Sequence, residues 1–394
     1  MRLCRKGTTT PKKIKVAHLT SVHPVLDIRI FHKECSTLVE AGHEVLLVVP
    51  HDHDEILDGV RIRALPRPKS RRERMLKTTW RVLRATFHED ADIYHFHDPE
   101  LIPVGLLLRL FGKRVVYDVH EELPKQILSK YWIRPWLRRP LAKIADTAES
   151  ISARTFDAIV VATPAIASRF PETKTVIVQN FPIPDELTIG GGRPYAERPF
   201  GVAYVGAITV VRGIKEIMHA MSIIPQRLEA KLVLAGIIAP PELEDELKAT
   251  PGWDRVDFLG WQSREGVAHV LGEVRVGSVL LHPQPNYLES YPIKLFEYMS
   301  VGIPVVASDF PLWREIVQGT GCGILVDPLD PKAIAEAIQW LLEHPKESEA
   351  MGRRGQEAVR SRFNWNTEAE KLLHLYGRIL SPNQLQQNLA VSSN

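Results

Sequence analysis

The chain has 394 residues, 44% of them hydrophobic and 7% aromatic. That is too long for one ordinary core and too apolar for general disorder, so two globular domains are expected. The formal net charge of +3 hides an uneven split: residues 1–190 carry 30 Lys and Arg against 23 Asp and Glu, the remainder 20 against 24. Three scattered cysteines, Cys4, Cys35 and Cys322, exclude a disulfide framework and point to a reducing compartment. No run reaches the roughly 18 uncharged apolar residues of a membrane span.

Residues 1–13 are basic but lack the apolar stretch of a secretory signal, and a disordered leader is expected there. Short β-branched runs then alternate with helical patterns: "IKVAHL" (14–19), "EVLLVV" (44–49), "DIYHF" (92–96), "RVVYDV" (114–119), "AIVVA" (158–162) and "TVIVQN" (175–180) read as strands. "RIFHKECSTLVEAG" has helical spacing and ends at Gly42, a suitable C-cap. Near-continuous apolar strands separated by helices imply a parallel sheet covered on both faces. The Pro- and Gly-rich stretch 181–198 interrupts the pattern, which restarts with "FGVAYVG", "AKLVLAG", "RVDFLG", "VGSVLLH", "IPVVAS" and "CGILVD". The expected division is a first domain over 14–190, a second over 191–365, a helix over 366–381 packing back on the first, and a disordered tail over 382–394. Asp330 and Pro331 mark the start of a helix in the second domain. The fold class is α/β, two doubly wound Rossmann-like domains facing across a cleft, with ligands at the carboxyl ends of the strands.

Candidate functional residues occur along both halves. Asp27 and Arg29 lie between the first strand and helix, where the arginine either binds an acceptor phosphate or pairs with a carboxylate. "PHDHDE" (50–55) reads as a solvated loop. His95 and His97 alternate on one strand face; a zinc site would need further ligands in reach, and a buried, satisfied pair is the plainer reading. His120 and Glu121 either contact an acceptor or cap a loop. Residues 67–84 hold eight Lys or Arg and one Glu; residues 125–144 add six basic residues among Tyr131, Trp132 and Trp136. Such patches suit either an anionic bilayer surface or a solvated basic face, and nothing in them resembles a nucleic-acid-binding module. "GTGCGILVD" precedes a strand instead of joining strand to helix, so it is a turn.

The most informative segment is "ESYPIKLFEYMSVGIPVVASD" (289–309). Pro292 suits the first turn of a helix running to about Val301, which Gly302 can cap and Pro304 ends. Lys294 falls in the first turn, where the helix dipole disfavours a cation by roughly 0.3–1 kcal/mol unless an anion sits there. Glu289 and Glu297 flank that position, as hydroxyl acceptors on either side of a diphosphate would. A surface helix with scattered charges is the alternative.

This segment resembles the E-x7-E motif of glycosyltransferase family 4, retaining enzymes of the GT-B architecture. "VGAITVVRGIKEIMHAM" resembles the family's phosphate segment, "TVIVQNFPI" the end of its first domain, and "SVHPVLDIRIFHKECSTLVEAGHEVLLVV" the opening of a subgroup that assembles surface polysaccharides. The resemblance implies that Glu297 holds the donor ribose and that Glu289 and His97 face the transferred sugar as catalytic residues, with Asp98 orienting His97. Arg212, Lys294 and Gly206 would hold the diphosphate. Gly260 and Trp261 would hold the base, although Trp261 also suits packing at a strand end. Asp27, Arg29 and His120 would meet the acceptor. The family's usual arginine is replaced by Ala207. The function implied is sugar transfer from a nucleotide-sugar co-substrate, UDP-linked, to a glycan or polyprenyl-linked glycan, without cofactor or metal. The protein would be cytoplasmic and peripheral on the inner face of the plasma membrane. An epimerase or hydrolase of the same architecture, or a silent glycan-binding protein, is the alternative.

Overall fold

The computed structural model describes residues 13–130, 133–188 and 193–380. The expected tail, Tyr131, Trp132 and all but the last residue of the expected leader lie outside the described residues. The chain forms two compact units: Met1–Gln179 together with Ala369–Asn394, and Asn180–Glu368.

The first unit is built on β1 (Lys15–Leu19), β2 (Glu44–Pro50), β3 (Glu55–Leu57), β4 (Val60–Leu65), β5 (Ile93–Phe96), β6 (Arg114–Val119), β7 (Ala158–Val161) and β8 (Thr175–Ile177). They form one sheet in the order β3-β4-β2-β1-β5-β6-β7-β8, parallel except for β3. All six strands expected here are present. Residues 51–54 form the solvated loop expected at 50–55, with only Pro50 and Glu55 drawn into β2 and β3, and the β3–β4 hairpin beyond it is additional. Its turn uses Asp58 at φ +47° and Gly59 at φ +82°, and β4 buries Val60 and Ile62 while Arg61 and Arg63 point outward, a period-two pattern short enough to be masked by flanking charge.

The second unit carries β9 (Gly201–Val205), β10 (Lys231–Ala235), β11 (Val256–Gly260), β12 (Val276–Val279), β13 (Val305–Ser308) and β14 (Gly323–Val326). These six expected strands form a parallel sheet in the order β11-β10-β9-β12-β13-β14. In each unit the strand order reverses direction beside the first strand, β1 or β9. That reversal leaves a crevice at the carboxyl ends of β1 and β5, and of β9 and β12.

Local signals explain the helices that border these crevices. The segment after β1 enters a π-helical turn, Ile30–Cys35, which continues as the α-helix Ser36–Glu40. The helix Pro331–Glu343 is capped by Asp330, whose carboxylate accepts from the Lys332 and Ala333 amides. The helix Trp365–Leu380 begins in the second unit, and from Ala369 onward it belongs to the first. Among the described residues no helix is long and apolar enough to cross a membrane.

The turn after β9 has little steric freedom. Gly213 has φ +72°, and a Cβ there would lie 2.2 Å from the Leu280 carbonyl oxygen beyond β12. Gly213→Ala is therefore expected to cost on the order of 1–3 kcal/mol, seen as a lowered melting temperature. An unchanged melting temperature would show that the turn relaxes freely.

Candidate functional site

In the second unit the polar groups gather at the β9–β12 crevice. β9 leads into Gly206 at φ +102° and the turn Val210–Arg212, which the His282 amide fastens by donating to the Val211 carbonyl at 2.9 Å. The Tyr204 hydroxyl donates to the Arg212 carbonyl at 2.9 Å, so the strand orients the turn that carries Arg212. Ala207 is exposed.

The helix expected at 293–301 spans Ile293–Ser300, with Pro292 as its N-cap and Gly302 at φ +71° beyond its end. Leu295, Phe296, Tyr298 and Met299 bury its apolar face. Lys294 is also buried, at 7% exposure. Its Nζ has no hydrogen-bond partner and lies 4.2 Å from the centroid of the Tyr204 ring. Burial, then the nearby Arg212 guanidinium, depress this ammonium to about 7, with Glu297 acting in the opposite direction.

Glu297 is buried and accepts from Arg264 Nη1 at 2.5 Å. Arg264 also grips Glu186 with two bonds, Nε to Oε1 at 3.0 Å and Nη2 to Oε2 at 2.7 Å. Burial works against the Arg264 charge, but these two carboxylates hold it above its ordinary value. Glu289 is exposed, in the link between the short helix Pro285–Leu288 and Ile293; Trp313 Nε1 pins that link by donating to the Ser290 carbonyl. Gly260 ends β11 at φ +65°. Trp261 is 71% exposed, so packing at the strand end does not account for it.

The first unit places a second polar cluster at the carboxyl ends of β1, β5 and β6. Arg29 is buried and grips Asp118 with two 3.0 Å bonds, while its Nη1 donates to the Val178 carbonyl. This corrects the acceptor-phosphate reading: of the two alternatives, the arginine takes the carboxylate. Asp27 caps the following helix, Oδ1 accepting from the Arg29 and Ile30 amides. Asp98 does not orient His97. It accepts from Thr20 Oγ1 and the Ser21 amide and lies 3.3 Å from His23. Burial opposes its charge, yet these donors hold it down at about 2.

His97 instead meets Asp118 through Nδ1 at 3.2 Å and His18 through Nε2 at 2.9 Å. Both ring nitrogens are engaged and the ring is buried, which removes it as a direct sugar contact. His120 is half-buried, with Nε2 2.8 Å from Asp118. Burial opposes the Asp118 charge, but Arg29, His120 and His97 hold it well below the usual carboxylate range. Burial and the adjacent Asp118 push Glu34 the other way, well above that range.

Two family models match the chain: "Glycosyl transferase 4-like domain" over residues 29–180 and "Glycosyl transferases group 1" over residues 193–358. The chain is a glycosyltransferase of the family 4 type. Phosphatidyl-myo-inositol mannosyltransferase of Mycobacterium leprae is 25% identical over 304 residues, 75% of this chain and 76% of the relative. Among solved structures, sucrose-phosphate synthase of Thermosynechococcus elongatus matches with a TM-score of 0.73 at 22% identity, over 94% of this chain and 100% of the other. The Anabaena protein HepE, solved in complex with UDP-glucose, matches with a TM-score of 0.68 at 14% identity, over 92% and 99%. These likenesses place both domains in the GT-B fold.

For a glycosyltransferase of this type, the crevice of the second unit brings Arg212, Lys294 and Glu297 together. Arg264, Glu186 and Tyr204 were missed by sequence reasoning. Arg264 lies three residues after Trp261 and directly after the Ser263 N-cap, but nothing local shows that it reaches a carboxylate 33 residues later. Removing it strands a buried charge. Arg264→Met is expected to cost on the order of 1–3 kcal/mol, while Glu186→Gln costs less because Arg264 keeps Glu297. Thermal unfolding of the two variants checks the order, and equal losses would contradict the assignment.

Proposed function

We propose that this glycosyltransferase acts with retention, moving a hexose from a UDP-sugar to a glycan or lipid-linked glycan in surface polysaccharide or glycolipid assembly. The observation that carries the donor reading is the buried, unpartnered Lys294 ammonium beside Arg212 at the carboxyl end of β9. An uncompensated cation in an enclosed position is stabilised by a bound anion, and a diphosphate supplies one. HepE, bound to UDP-glucose, shares the fold and supports uridine as the base.

In this reading Arg212 and Lys294 meet the charge that develops on the departing diphosphate, taking the place of the arginine absent at Ala207. Glu297 presents Oε2 to the ribose hydroxyls while Arg264 holds Oε1. Glu289 contacts the transferred sugar. Gly260 and the exposed Trp261 border the base, and the open space at Gly206, with no atom within 4 Å of where a Cβ would stand, leaves room for phosphate oxygens. With no nucleophile placed for a covalent intermediate among the described residues of this crevice, attack from the side of the leaving phosphate fits retention. The transfer step needs no metal in this scheme. His120, held by Asp118, is the acceptor-side group with solvent access.

The first unit also offers a surface for an anionic bilayer on the inner face of the plasma membrane. Trp80 and Trp136 are 64% and 68% exposed, with Met75, Leu76 and Ile144 exposed among the arginines and lysines of the two basic stretches. These stretches adjoin: burial, then Arg74 and Arg71, depress the Lys130 ammonium. Such a surface suits a lipid-linked acceptor.

A thermal-shift series across nucleotides and nucleotide-sugars tests the donor assignment. UDP-sugars at about 100 times Kd should add about 2.7 kcal/mol of stability, and Glu297→Ala should reduce that shift severalfold. A shift left intact in Glu297→Ala, or none with any nucleotide, would contradict the assignment. Product should form only when acceptor is supplied.

A further inference from the structure

The histidine pair noted in the sequence has the further ligands it lacked there. His18 from β1, Glu34 from the π-helical turn, and His95 and His97 from the end of β5 converge in the interior of the first unit. One ligand atom from each lies within 4.8 Å of the other three. Glu34 Oε2 is 3.8 Å from His18 Nδ1, 3.9 Å from His95 Nδ1 and 3.9 Å from His97 Nε2, and the last is 2.9 Å from His18 Nδ1. A tetrahedral zinc ion with bonds of about 2.0–2.2 Å separates its ligand atoms by about 3.4 Å. These four spacings bracket that value, and the other two pairs lie within 4.8 Å.

The second observation is an unsatisfied carboxyl. Glu34 has no exposed surface and neither side-chain oxygen accepts a hydrogen bond; its carboxyl neighbour Asp118 can receive a hydrogen bond from it only when Glu34 is protonated. Arg29 Nε lies 3.0 Å from Oε1 but directs its hydrogen bond to Asp118. An ionised carboxyl left this way in the interior is uncompensated. His18 Nε2 and His95 Nε2 are likewise without partners, so the cluster is not a closed hydrogen-bond network.

We propose that His18, Glu34, His95 and His97 form a buried structural site for a divalent transition metal, zinc by its three imidazoles and one carboxylate. It departs from the expectation of a metal-free protein, yet it leaves the donor crevice of the second unit without a metal. His97 is already oriented as a ligand, with Asp118 on its other nitrogen, the usual arrangement behind a metal-bound imidazole. Asp118 is excluded as a ligand because Arg29, His97 and His120 occupy its oxygens. Binding requires His18 to carry its proton on Nε2, and Glu34 to release any proton it holds. It also requires the His18 Nδ1–His97 Nε2 hydrogen bond to open and the Tyr376 hydroxyl, 2.6 Å from His95 Nδ1, to give up its bond. The ion would tie β1, β5 and the π-helical turn together beneath the helix that carries Tyr376.

Elemental analysis of the untagged full-length protein, after passage through a weak chelator, tests the site. About one zinc per chain is expected. It should persist when the surface group His51, His53 and Glu55 is disabled by His51→Ala and His53→Ala, and fall at least tenfold in Glu34→Gln. Should Glu34→Gln fail to fold, cobalt added to metal-stripped wild type supplies the second readout: visible absorption of a four-coordinate ion and a raised melting temperature. Less than a tenth of an equivalent of zinc, with no thermal shift from zinc or cobalt, would overturn the proposal. Loss of the metal with the two surface histidines would overturn it too.

Discussion

The ammonium of Lys294 sits inside the second unit with a tyrosine ring beneath it and no hydrogen-bond acceptor on it. Such a group is stable only because the surrounding structure holds it. The helix Ile293–Ser300 is anchored by Leu295, Phe296, Tyr298 and Met299 in the core, and Lys294 on the same helix keeps only 7% of its surface exposed. The cation–π contact with Tyr204 and the field of Glu297 recover part of the lost hydration. Position in the first turn of a helix adds a further penalty. An anion bound beside Lys294 would lower all these costs, which is the physical basis of the proposed donor site. The GT-B fold sets where this happens, because the strand order of the second sheet opens its crevice beside β9.

The two units solve opposite electrostatic problems. In the second, cationic groups predominate at the crevice and the carboxylate of Glu297 is kept in place by Arg264. In the first, two buried carboxyls face a single arginine. Arg29 satisfies Asp118 with paired bonds, and Glu34 accepts no hydrogen bond although Arg29 Nε lies 3.0 Å away. Asp118 thus remains charged, while burial drives Glu34 toward its neutral form. This division explains why Arg29 is unavailable to an acceptor, and why His97 belongs to the interior instead of to the sugar.

Most of the fold was legible in the sequence because the central strands of both sheets are parallel and buried on both faces, which writes apolar runs directly into the chain. The donor helix was legible for a similar reason: Pro292, Gly302 and Pro304 bracket it, and the lysine contradicts the dipole. What could not be read depends on distant pairings. Arg264 meets Glu186 from 78 residues away, and Tyr376 meets His95 from 281 residues away. Neither pairing leaves a mark on local spacing. Asp98 looked like the partner of His97 because it is next in sequence, but the turn after β5 aims its carboxylate at Thr20 and Ser21 beyond β1. The β3–β4 hairpin escaped notice because its alternation is short and lies among charged residues.

Proton uptake on nucleotide binding tests the role of Lys294 most directly. At pH 8 an ammonium held at about 7 is mostly deprotonated, whereas the diphosphate of UDP is fully ionised. An anion seated against Lys294 raises its pKa, so binding must draw a proton from solution. Calorimetric titration with UDP in buffers of different ionisation enthalpy should give an uptake of about 0.8 proton per nucleotide at pH 8, little at pH 6, and none at pH 8 in Lys294→Met. UDP binding at pH 8 with no proton exchange in the wild type would contradict the account.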